Sequence, residues 1–104
     1  MSQPPAFYEQ GKRDFPDVCE SYEALSRATK AAGPLDARSV ALVKLATSIA
    51  SGLEGATHAN TRKALTSGCT PEELRQVVLL SVTTIGFPAM MRGRAWVEDV
   101  LSAE

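Results

Sequence analysis

An all-α fold is predicted by three observations. Apolar residues recur at spacings of three and four along most of the 104-residue chain. The run Thr70-Pro71-Glu72-Glu73 carries a full helix-start signature: a capping Thr, Pro at the first helical position, and Glu three residues after the cap. Gly and Pro punctuate the periodic stretches at Gly33-Pro34, Gly52, Gly68 and Gly86-Phe87-Pro88. Together they predict about five helices in one domain spanning residues 1–104.

Residues 1–15 read as an N-terminal arm, with Met1 to about Ala6 polar and carrying Pro4-Pro5. The first expected helix starts at about Pro16, with Asp14 as its cap. Val18, Tyr22, Leu25 and Ala28 fall on one face of it. Gly33 is its expected left-handed stop and Pro34 cannot continue it. Asp36 is the expected cap of the next helix, Ala37 to Ser51. Val40, Leu42, Val43, Leu45, Ala46, Ile49 and Ala50 make that helix apolar around much of its circumference, the pattern of a buried central element.

A third helix is expected from Glu54 or Gly55 to Ser67, closed by Gly68. The fourth starts at the Thr70 signature and runs to about Ile85. Its β-branched residues (Val77, Val78, Val82, Thr83, Thr84, Ile85) would suit a strand, but the capping box and the length favour a helix. A last helix is expected from Pro88 to about Ser102, with Met91, Ala95, Trp96, Val100 and Leu101 facing inward.

Composition narrows the function. Hydrophobic residues are 44% and charged residues 22%, ordinary for a folded domain. A formal net charge of −1 gives no field for nucleic acid or an anionic membrane. No apolar run approaches the length of a membrane span, and the N-terminus lacks a secretory h-region, so the cytoplasm is the expected compartment. Cys19 and Cys69 form no CxxC and read as free thiols. A chain this short buries a modest share of its surface, so it gains by covering apolar faces with further copies of itself.

Few residues can do chemistry. No cofactor is predicted, since no Gly-rich phosphate loop is present. No metal site is predicted either: His58 is the sole histidine, and a zinc set of Cys19, Cys69, His58 and a carboxylate fits no known ligand spacing. Glu54, Thr61 and Arg62 share a helix face with His58. The positive end of the helix dipole disfavours a cationic imidazole there, which suits a general base. The plainer reading is a surface or interface histidine bonded to Glu54 or Thr61. Lys44, on a largely apolar helix, is either a functional amine or one that reaches solvent. Trp96 and Phe87 read as packing. Cys69, just before a helix cap, has no visible base or resolving thiol.

Residues 35–88 resemble the carboxymuconolactone decarboxylase and alkylhydroperoxidase D family. The matching runs are LDARSVALVKLATSIASG, EGATHANTRKALTSGCTPEELRQVVLLSV and TTIGFPA. The resemblance implies an all-α, alkylhydroperoxidase D-like domain built on a helical hairpin and assembled as a homo-oligomer, a trimer or hexamer. Peroxidase members resemble one another in a Glu, eleven residues, then Cys-x-x-Cys-x-x-x-His. Those positions fall here on Ala41, Leu53, Ala56 and Asn60, so the thiol route has no nucleophile. Decarboxylase members have a His where this chain has Asn60, followed by a run like Thr61-Arg62-x-Ala64-Leu65. His58 lies two positions earlier, about 200° around the helix, so it cannot stand in for that residue.

Three functions follow as expectations. The first is an oligomeric domain with a non-redox binding role, taking a small-molecule ligand through Glu54, Asn60, Arg62 or Lys44. The second is an enzyme acting on a small organic acid or lactone, with His58 as base and Arg62 or Lys44 holding a carboxylate. The third is the peroxiredoxin-type antioxidant activity that the family implies.

Overall fold

The computed structural model describes residues 6–103, and all regular structure among them is helical: α1 Ala6–Asp14, α2 Pro16–Ala31, α3 Ala37–Ala50, α4 Glu54–Thr66, α5 Pro71–Leu80, α6 Val82–Ile85 and α7 Phe87–Ala103. The expected flexible stretch of Met1 to Pro5 lies outside the described residues. Among the described residues no helix is long and apolar enough to cross a membrane. The chain divides after Leu35 into two compact units.

The first unit holds α1 and α2. The rest of the expected arm is helical, which is a correction: α1 spans Ala6–Asp14. It is tied to α2 by Tyr8, whose hydroxyl donates to Glu23 at 2.6 Å, and by Lys12, 3.7 Å from the same carboxylate. That pairing spans 15 residues and leaves no local periodic signature to read. Pro16 occupies the first turn of α2 as expected, but the cap is Phe15, without a side-chain hydrogen bond, and not Asp14, which closes α1. Gly33 is not the left-handed stop: α2 ends through Ala32 in right-handed geometry, its amide bonded to the Thr29 carbonyl. The predicted apolar face is present but uncovered, with Val18, Tyr22 and Leu25 each more than 60% exposed.

The second unit is built around α3. Asp36 caps it as expected, accepting from the Ser39 amide at 2.8 Å. Only one stripe of α3 is covered within the chain: Ala41, Leu45, Ser48 and Ile49 are buried, while Val43, Ala46 and Ala50 are exposed. The expected central helix is thus buried along one stripe only, where α4, α5 and α7 pack on it. The core joins Leu45 and Ile49 to Ala64, Leu74, Val78, Met90 and Val97.

Gly68 supplies the expected left-handed stop at φ +93°. The Thr70 capping box is complete: Thr70 accepts from the Glu73 amide at 3.1 Å, and Glu73 accepts from the Thr70 amide at 2.8 Å. Arg38, at the start of α3, grips both oxygens of the same carboxylate at 2.6 Å. One residue thus fixes the start of two helices.

The helix expected to run to Ile85 is interrupted at Ser81, whose hydroxyl bonds back to the Val78 carbonyl at 2.6 Å. The β-branched run remains helical across the break. In α7 the inward face is Met90, Gly93, Val97 and Val100: of the expected set, Val100 is buried and Leu101 packs against the core, while Met90 and Val97 are buried in place of their neighbours Met91 and Trp96. Gly93 decides the register. A Cβ at that position would lie 2.7 Å from Ile49 Cγ2, so α3 and α7 approach where only a hydrogen fits.

Candidate functional site

Glu54 opens α4 and His58 lies one turn further, so both project from one face. α4 packs along α7, and α7 brings Asp99 to that face. His58 Nε2 lies 3.0 Å from Asp99 Oδ2. Ligand-capable atoms of Glu54, His58 and Asp99 all fall within 4.8 Å of one another. The imidazole side chain is 25% exposed and the Asp99 side chain 59%, so the cluster opens to solvent. A carboxylate at this distance orients the imidazole ring.

The other predicted residues go elsewhere. Asn60 donates from Nδ2 to the Lys44 main-chain carbonyl at 3.1 Å, bracing α4 against α3. The two-residue offset from His58 has the consequence the helix period demands: His58 meets α7 and Asn60 meets α3. Lys44 is exposed, and its amine takes no part in the bond that its carbonyl accepts. Arg62 is half-buried and its guanidinium makes no ion pair with a described residue. The fold thus unites Glu54 and His58 and leaves Lys44, Asn60 and Arg62 out of the cluster.

Asp99 was not legible as a partner, since it lies 41 residues from His58. Arg92, Trp96 and Asp99 do follow a helical spacing of four and three, which places them on one stripe of α7. Arg92 stacks over the Trp96 ring at 5.2 Å. Its guanidinium lies 2.8 Å from where a Cβ of Gly52 would sit, and Gly52 has φ +69°. The positive φ is what requires glycine there, since the exposed Arg92 side chain can shift.

Cys69 is no part of this cluster. Cys69 is 4% exposed, and its Sγ donates to the Arg38 carbonyl at 3.8 Å. Burial pushes its thiol up, against the opposing pull of Arg38. Cys19 is free and half-buried in the first unit. Ala41, where peroxidase members carry a Glu, is part of the buried core. A cavity of about 200 Å³ between α5 and α7 is lined by Arg75, Val78, Leu79, Arg94 and Glu98, with none of the His58 cluster among them.

A helical core with a histidine–carboxylate cluster on α4 and α7 and a buried thiol defines an all-α domain. The family model for the carboxymuconolactone decarboxylase family matches residues 16–99, and the chain belongs to that family. No curated protein and no solved structure matches it at a significant level.

Proposed function

We propose that this chain is a self-assembling, non-redox binding domain of the carboxymuconolactone decarboxylase family, acting in the cytoplasm as a homo-oligomer. The observation that carries the reading is the apolar surface left over after the core is formed. Val43, Leu79, Leu80 and Phe87 are each more than half exposed, although helices of the second unit already cover Leu45, Leu74 and Val97 completely. Surplus apolar surface of that kind marks an interaction face. The unpaired Cys69 fits a reducing compartment. Peroxide consumption by the wild type and by the Cys19→Ser, Cys69→Ser double variant tests the non-redox part. The expected result is no catalysed consumption by either protein. Activity present in the wild type and lost in the double variant supports the antioxidant function instead.

A second reading is favoured by the His58–Asp99 contact. His58 would act as a base on a small organic acid or lactone, with Asp99 orienting the ring. Arg62, one turn beyond His58 on α4, or Lys44 would hold the substrate carboxylate. Turnover of such a substrate that His58→Gln abolishes, with binding retained, would establish this reading over the first.

A further inference from the structure

We propose that Glu54, His58 and Asp99 bind a divalent first-row transition-metal ion, with zinc the ion best matched to the set. The inference concerns the cluster described above but rests neither on self-assembly nor on turnover.

The first argument is convergence. Two ligands come from one face of α4 and the third from α7, and their ligand atoms already lie within 4.8 Å. A tetrahedral zinc with bonds near 2.1 Å holds its ligands about 3.4 Å apart. His58 Nε2 and Asp99 Oδ2, at 3.0 Å, are already at that scale. Glu54 is exposed, so side-chain torsions can close the remaining distance without moving a helix.

Backbone positions beneath the cluster are fixed. Thr57 and Thr61 of α4 and Val97 of α7 are fully buried. The site therefore sits on two packed helices and not on a loop, which lowers the ordering cost of binding.

The second argument is charge. Two carboxylates and one imidazole converge, so acidic groups outnumber the one basic side chain of the set. A divalent cation balances the charge of both carboxylates. The donor set then selects the ion. All-oxygen sets suit magnesium or calcium, whereas an imidazole nitrogen beside carboxylates suits zinc and its neighbours. Three protein ligands leave a fourth position for water or a ligand atom, the open form of a zinc site.

Zinc titration by calorimetry on the full chain, carried without a histidine tag, tests the proposal. The expected result is saturable binding of about one Zn²⁺ per chain, not displaced by excess Mg²⁺. His58→Ala should abolish saturable binding or weaken it by about 100-fold, and Asp99→Asn by at least about 10-fold. Glu72→Gln, an exposed carboxylate in the first turn of α5, should change nothing. Circular dichroism checks that the variants fold, and Asp99 is exposed enough to be replaced without touching the core. Cobalt substitution gives an independent readout: nitrogen and oxygen ligands produce only weak visible bands, and thiolate ligands add intense near-ultraviolet absorption. No saturable binding by the wild type, binding that survives His58→Ala, or a thiolate band would each overturn the proposal.

Discussion

At the scale of single residues, two positions in the core carry opposite lessons. Thr57 is fully buried, and its hydroxyl has no hydrogen-bond partner among the described residues. Thr61, one turn on, solves the same problem by donating to the Thr57 carbonyl at 2.7 Å. An unpaired buried hydroxyl costs about 1–3 kcal/mol. Thr57→Val replaces it with a methyl of similar shape, so thermal unfolding should shift upward by several degrees, on the order of 4–8 °C per kcal/mol for a domain of this size. Gly93 lies at the other extreme. Gly93→Ala would place a methyl 2.7 Å from Ile49 Cγ2. Ile49 is completely buried and has little room to yield, so the variant should lose about 1–3 kcal/mol and unfold at lower temperature. A melting curve for each variant reads both predictions, and an unchanged midpoint would contradict either.

At the scale of elements, the helix starts closed by side-chain caps were legible and the helix pairings were not. Asp36 and the Thr70–Glu73 box announce themselves because capping is local: donor and acceptor are three residues apart. In the inward stripe of α7, Val100 was legible but Met90 and Val97 were missed by one position, because the close approach of Gly93 to Ile49 spans 44 residues and leaves no periodic signal. The same distance problem hid Asp99 from His58 and Arg38 from Glu73. Within the candidate site, then, Glu54 and His58 were readable from the helix period alone, and Asp99 only from the fold. The element ends also make a pH prediction. Glu73 is held below the usual carboxylate range, first by Arg38 and then by the Thr70 amide. Asp36 is lowered by the Ser39 amide, and Glu98 by Arg75. In the unfolded chain these groups titrate near pH 4, so between there and their lower folded values the unfolded state binds more protons. Their contribution is full above about pH 5 and is lost as pH falls through the folded values. The melting midpoint should therefore fall as pH drops below about 4.5. Thr70→Ala, which also removes a cap worth about 1 kcal/mol, should melt lower throughout. Tyr8 behaves with the opposite sign. Its hydrogen bond to Glu23 pushes its hydroxyl up to about 12. The stabilisation it gives the α1–α2 unit is present below about pH 10 and disappears as pH rises through that folded value. Tyr8→Phe should remove that alkaline dependence.

At the scale of the whole molecule, the distribution of apolar surface sets the expected state of association. Among the described residues eleven large hydrophobic side chains are exposed, from Val18 at 68% to Met91 at 40%. In the second unit four of them fall between Leu79 and Met91, where α5 ends and α7 begins. Phe87 and Met91 are one turn apart, so α7 presents them on a single face. Covering a leucine or phenylalanine side chain gives about 1.5–3 kcal/mol, and two or three such burials per subunit offset a substantial part of the entropy lost on association. Light scattering coupled to size exclusion should therefore find a mass that is a multiple of the 11.1 kDa chain. Leu80→Glu and Phe87→Glu place a charge on surface that is exposed within one chain, so neither should disturb the helical content of the subunit. Each should weaken assembly by at least about 10-fold, because a carboxylate buried without a partner at an interface costs more than the apolar contact it replaces. Val18→Glu, on the uncovered face of α2, asks the same question of the first unit. A wild-type protein that elutes as a clean monomer, or variants that assemble as before, would move the interaction face away from this segment. Dissociation by Phe87→Glu together with preserved zinc binding would separate assembly from the Glu54–His58–Asp99 cluster, because the cluster draws all its ligands from a single chain.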